Sequence, residues 1–179
     1  MTPRPRIVPL QLGCCPEPPR CDLCARTHHL DAELVAAHVA HAAERHEGPL
    51  RASFFGGPPP SAPLIEALGG MPFTVRVRPD LFARADAERL AAAGCVSVEL
   101  DALTFRDDAL RAVGRRYRGG LVEEILRSLP SYGLAAGIVL APGLPRSSHE
   151  LSVADAERAA PLVRTARIHP VLVLQGSGL

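Results

Sequence analysis

Apolar positions along this chain follow two alternating patterns. Short runs, richest in Val, Ile, Leu and Phe and often closed by Gly, Pro or Asp, predict strands over 6–12, 50–55, 73–77, 96–100, 134–141 and 167–174. Between them lie segments that read as helices, over 31–46, 61–68, 86–93, 107–113, 120–131 and 152–164. The first helix has Asp31 as its N-cap and places Leu34, Val35, His38, Val39 and Ala42 near one face. The third is read as following Asp86 and stopping at Gly94. The pair 107–113 and 120–131 is broken around Gly119-Gly120, and the last helix begins with Ser152 and is shortened by Pro161.

Strict β-α alternation argues for parallel strands with helices outside them. Six strands are too few to close an eight-stranded barrel, so an open barrel or a doubly wound sheet is expected. In either, ligands bind at the C-terminal ends of the strands.

Composition narrows the class. With 179 residues and 47% apolar content the chain is long enough for one domain with a full core. The net charge of +1 and the lack of a basic stretch give no indication of nucleic acid binding. All 20 basic residues are Arg, which excludes a lysine Schiff base or lysine general base. No apolar run reaches the ~18 residues of a membrane span, and the N-terminal residues lack a signal-like segment, so the cytoplasm is the default compartment.

The richest chemistry lies just after the first strand. Four of the five cysteines, Cys14, Cys15, Cys21 and Cys24, fall on one loop. Thiolates gathered in this way suit an iron–sulfur cluster, zinc or Cu(I). In a reducing compartment they are metal ligands rather than disulfides. Cys21-x2-Cys24-x3-His28 with Cys14 or Cys15 is also acceptable zinc spacing, so the loop alone leaves both metals open. Cys95, inside a strand, reads as a buried small hydrophobe. His28 and His29 read as surface or supporting groups, and His38, His41 and His46 as solvated or partly buried.

Later segments bear on the choice. Phe54-Phe55-Gly56-Gly57 follows strand two, and Val75-Arg76-Val77-Arg78-Pro79-Asp80 closes strand three. Then come Gly94-Cys95-Val96-Ser97-Val98-Glu99-Leu100, the segment from Asp107 to Arg115, Ala141-Pro142-Gly143-Leu144-Pro145, and Arg167-Ile168-His169-Pro170 running on to Leu179. In this order, with the cysteine loop, they resemble the radical S-adenosylmethionine (SAM) superfamily, in particular its Elongator catalytic-subunit-like group. Oxygen-independent coproporphyrinogen oxidases share several segments more loosely. The resemblance covers about residue 7 to the last residue.

The resemblance implies an α/β fold, a (βα)6 partial, open TIM-like barrel, with residues 1–179 forming a single radical SAM core that ends at strand six. It implies a [4Fe–4S] cluster held by Cys15, Cys21 and Cys24, with Cys14 as the alternative to Cys15. It implies that bound SAM is split on reduction to a 5′-deoxyadenosyl radical that abstracts hydrogen from a substrate. Leu23 would lie over the adenine, Gly56 and Gly57 by the SAM amino group, and Pro142 and Gly143 beside the adenine. From the residues themselves, Glu99 and Asp101, on one face of strand four, are candidates for ribose hydroxyls or the SAM ammonium, with solvated carboxylates as the alternative. Arg78 is a candidate carboxylate contact, with structural ion pairs of Arg78 or Arg76 as the alternative. An electron donor of flavodoxin or ferredoxin type is implied, and a partner subunit is a candidate cover for the substrate face.

Departures from the family pattern are specific. Pro16-Glu17-Pro18-Pro19 widens the first cysteine spacing from the family's C-x3-C-x2-C. Pro58 stands where the family has Glu or Ser, and Ala102-Leu103-Thr104 replaces a Val-Gln-Ser. No acetyltransferase domain is expected within residues 1–179. A non-catalytic cluster- or SAM-binding module, a decayed paralogue and a zinc-binding regulatory or scaffold protein are the alternative readings.

Overall fold

The computed structural model describes residues 4–12 and 30–171. Six strands stand in sequence order, each parallel to the next. They are β1 (Arg6–Gln11), β2 (Leu50–Phe55), β3 (Phe73–Val77), β4 (Cys95–Leu103), β5 (Ala135–Leu140) and β6 (Thr165–Ile168). The sheet curls into a half-barrel with helices outside, the partial open α/β barrel that the resemblance implies and one of the two architectures that the alternation leaves open. The helices are α1 (Ala32–Glu44), α2 (Ala62–Glu66), α3 (Arg84–Ala92), α4 (Asp107–Ala112), α5 (Gly119–Ser128) and α6 (His149–Ala159).

The period of two along each strand sorts side chains between faces. Val8, Leu10, Ala52, Phe54, Phe73, Val75, Val98, Leu100, Ala136 and Ile138 are buried on one side of the sheet. Helix side chains Val35, Leu90, Leu110, Val122 and Leu126 join them in one core. Phe54 and Phe73, on neighbouring strands, meet edge to face with centroids 5.9 Å apart. The alternate residues Ser53, Thr74, Arg76, Ser97, Glu99, Thr165 and Arg167 face the concave side and are more accessible. The core packs under the helices, which leaves the concave face polar.

Several boundaries differ from the sequence reading, each for a local reason. Strand six runs over Thr165–Ile168 instead of beginning at Arg167 and running through the apolar stretch after Pro170. Its start is set by pairing, since Arg164 N–H donates to Ala136 O at 2.8 Å. Beyond it, His169 and Val171 donate to Leu140 O and Pro142 O, and Pro170, which has no N–H, falls between these two donors. Residues 172–174 lie outside the described residues. β4 extends past Leu100 to Leu103, through a register irregularity between Asp101 and Leu103, because Asp101 still pairs with Val139.

Helix starts shift as well. Asp86 is not the start of α3 but its third residue, where it accepts the Ala83 N–H at 3.0 Å. Ser148, not Ser152, caps α6, accepting from Leu151 N–H at 3.3 Å. α6 ends at Ala159, before Pro161, as expected. Asp31 caps α1 as expected, accepting from Leu34 N–H at 2.8 Å. The buried stripe of that helix is narrower than predicted: Val35, Val39 and Ala42 pack inward, whereas Leu34 and His38 are exposed. α4 and α5 form the expected broken pair. Gly119 starts α5 because a side chain there would strike the Phe105 carbonyl, with a Cβ only 1.9 Å from its oxygen.

Candidate functional site

The C-terminal ends of the strands form a rim that gathers Gly56, Gly57, Arg78, Asp101, Pro142 and Gly143 among the sequence-predicted residues. Leu12 N–H donates to Phe55 O at 2.8 Å, so the cysteine loop leaves β1 beside the end of β2. The glycine pair follows immediately, with Gly56 at φ 81° and Gly57 at φ 71°. Two successive left-handed residues are a conformation that Gly adopts without the strain a side chain adds. The candidate ligands Cys14, Cys15, Cys21 and Cys24, together with Leu23, His28 and His29, lie outside the described residues. Among the described residues no three His, Cys, Asp or Glu side chains gather as a metal site.

On the third and fourth strands, charges are paired. Just past β3, Arg78 grips Asp80 in a two-pronged contact, Nε to Oδ1 at 3.0 Å and Nη2 to Oδ2 at 2.6 Å. Asp101 faces Arg115, with Nη2 3.5 Å from Oδ2, and only 2% of the Arg115 side chain is exposed. Tyr117 donates to Asp101 O and Ala102 O at 3.2 and 3.1 Å. Burial pushes the Tyr117 phenol well above its ordinary value, so it stays protonated and keeps donating. Arg115 and Tyr117, from the loop between α4 and α5, thus hold the end of β4. Neither was assigned a role from sequence, although Arg115 closes a segment that carries the resemblance.

Glu99 lies one turn of the pleat deeper on the concave face. Its carboxylate is shared by Arg76 Nε at 3.2 Å and Arg167 Nε at 2.8 and 3.0 Å. Glu99 and Asp101 share a face with Leu100 opposite, as the alternation requires, but they have different partners. Gly137, between them and β6, makes the Glu99–Arg167 contact feasible. A Cβ there would sit 2.8 Å from Glu99 Cγ and 2.7 Å from Thr165 Oγ1. No local pattern signals this role of Gly137.

The strained point of the rim is Leu103. It has φ 64°, and Thr104 N–H turns back to Ala102 O at 2.7 Å. The turn is held from outside. Asp155 of α6 accepts from the Thr104 hydroxyl and from Phe105 N–H at 3.2 Å, and all three groups are inside the protein. Leu103 and Pro142 both line a cavity of about 250 Å³ between the strand ends and α6, with Leu140, His149, Val153 and Ile168. Gly143 follows at φ 91°. The Pro-Gly turn therefore borders the α6 side of the sheet as well as the rim.

Cys95 is inert by comparison. It is 6% exposed, and loss of solvation pushes its thiol up to about 12. That agrees with its reading as a packed strand residue.

The sequence carries four thiols on the loop that follows β1, outside the described residues, and the chemistry of that donor set fits the iron–sulfur cluster implied by the resemblance. That loop starts beside a glycine pair whose backbone has no side chains to block an approaching ligand.

Comparison with known proteins bears on the fold. No family model matches the chain. A tRNA uridine(34) acetyltransferase of Dehalococcoides mccartyi (strain CBDB1) is 30% identical over 107 residues, 58% of this chain and 23% of the relative. The archaeal Elp3 of Methanocaldococcus infernus superposes with a TM-score of 0.70 at 14% identity, over 99% of this chain and 48% of that one. Coproporphyrinogen III oxidase of Escherichia coli, a radical SAM enzyme, superposes at 0.72 with 18% identity, over 96% of this chain and 45% of that one. The chain thus spans under half the length of these solved structures and under a quarter of the curated relative. It has the fold of the radical SAM enzymes.

Proposed function

We propose that this chain is the core of a radical SAM enzyme, with Cys15, Cys21 and Cys24 holding a [4Fe–4S] cluster and the rim holding SAM. One observation carries the reading: Leu12, the residue from which the chain continues into the four-cysteine segment, is hydrogen-bonded to Phe55 at the end of β2, immediately before Gly56-Gly57. When bound and reduced, the cluster supplies the electron that splits SAM and generates a carbon radical for hydrogen abstraction. The chain's own residues bind and orient. Gly56 and Gly57 leave backbone groups open to the ligand. Asp101, held by Arg115 and backed by Tyr117, presents a fixed carboxylate at the end of β4.

An electron donor of flavodoxin or ferredoxin type and a partner covering the substrate face are part of this proposal. Residues 1–179 act in it as one core domain. Among the described residues no helix is long and apolar enough to cross a membrane.

Anaerobic purification and reconstitution test the reading. The expected result is a brown protein with about four irons and matching sulfide that releases methionine and 5′-deoxyadenosine on reduction with SAM. Iron and sulfide without SAM cleavage would reduce the chain to a binding module. A colourless protein with one tightly held zinc would overturn the proposal.

A further inference from the structure

Below the rim, the concave face carries a second polar site with its own chemistry. Ser53, Thr74 and Ser97 are register partners on three adjacent strands, so their hydroxyls form one row across the sheet. Arg51 lies one pleat lower on β2, next to Ile7 of β1. Together with Glu99, Arg164 and Arg167 they line a cavity of about 430 Å³.

Three features point to an anion. The cavity is lined by three guanidiniums, Arg51, Arg164 and Arg167, against one carboxylate, Glu99. That carboxylate is already shared by Arg76 and Arg167. Arg51 is only partly exposed, its Nε is shut off from solvent, and among the described residues it has no hydrogen-bond or ion-pair partner. A guanidinium N–H shut off from water without an acceptor is costly, and an anion bound at Arg51 offsets that cost. The three hydroxyls likewise have no protein partner among the described residues, so each has a donor to offer.

The geometry points to an oxyanion-binding subsite here, with Arg51 supplying the charge and Ser53, Thr74 and Ser97 the neutral donors. Its ligand carries a carboxylate or phosphate group. The site lies toward the N-terminal ends of the strands, opposite the end at which Leu12 and Gly56-Gly57 lie, and its lining includes none of the candidate cluster ligands.

Calorimetric titration of the full chain with pyrophosphate and, separately, citrate at fixed ionic strength tests this and distinguishes the two sources of oxyanion. Saturable binding of at least one is expected, weakening as salt rises. Arg51→Gln should weaken it roughly tenfold or more, and Arg51→Lys less, as loss of a charge-assisted contact requires. The double variant Thr74→Val, Ser97→Ala keeps the charge and is expected to weaken binding severalfold, which preserves the test if Arg51→Gln does not fold. A Cys21→Ala, Cys24→Ala chain should bind the anion as the parent does. Failure of both anions to bind, undiminished binding by a folded Arg51→Gln chain, or loss of binding in the double-cysteine chain would each overturn the inference.

Discussion

Glu99 and Arg167, 68 residues apart in the chain, meet over a glycine: Arg167 Nε donates to both carboxylate oxygens, at 2.8 and 3.0 Å. The contact joins β4 to β6 across β5, and Arg76 closes it from β3. Four consecutive strands of the open half-barrel are thereby tied on their concave face. Arg167 is 57% exposed, so its share of the stabilisation is small, and most of the tie rests on the better-buried Arg76.

Replacement of Glu99 by Ala leaves two guanidiniums facing each other without their anion. The expected loss is on the order of 1 kcal/mol, reduced by high salt. Urea denaturation at low and high salt checks it, and an unchanged midpoint would remove the tie from the account.

Gly137→Ala should be worse than its single methyl suggests. The new Cβ would press on Glu99 and Thr165 at 2.8 and 2.7 Å. Displacement of both is expected to cost about 1–3 kcal/mol. Combining it with Glu99→Ala should recover part of that loss, because one of the two clashes disappears; strict additivity would show that they are uncoupled.

Asp155→Ala removes the anchor of the strained turn at Leu103. The Thr104 O–H and the Phe105 N–H would lose their buried acceptor, at about 1–3 kcal/mol each, while the Thr104 oxygen still accepts from Arg106 N–H. Thermal denaturation is the direct measure. If the rim holds SAM as proposed, this variant should also bind SAM more weakly than Glu123→Ala, a change on the outer surface.

Alkaline pH should destabilise the fold through Cys95. Its thiol titrates near 9.0 when unfolded and is pushed up to about 12 when buried. Between these values the unfolded chain has released the proton and the folded chain has kept it. Stability is therefore full below pH 9 and falls as pH rises toward 12, by up to about 1.4 kcal/mol per pH unit for this group. Tyr117 adds the same sign of effect above its ordinary 10.0. Cys95→Ala should flatten the decline that begins near pH 9, and an identical pH profile would exclude Cys95 as its source.

The choice between Cys14 and Cys15 can be resolved by separate Ala variants. Cys15→Ala should lose most of its iron on reconstitution, and Cys14→Ala should retain it. The reverse result would reassign the third ligand to Cys14.

The sequence determined the order of elements, the parallel sheet and the burial of alternate strand residues. Those follow from periods of two and three to four, which are local properties of the chain. It also placed Gly56-Gly57 at the end of its strand, because turn residues mark such ends, whereas Glu99, read as closing strand four, sits in the middle of β4, which runs on to Leu103. It misplaced strand six because an apolar run outweighed Thr165-Ala166-Arg167-Ile168, whose exposed edge position needs no apolar pattern. Only the tertiary structure decided that Glu99 is shared by Arg76 and Arg167, that Gly137 makes room for it, that Arg115 and Tyr117 support Asp101, and that Arg51 stands over an in-register row of hydroxyls. These relationships depend on strand register and sheet curvature. Both are set by packing between residues distant in sequence, so no local pattern carries them.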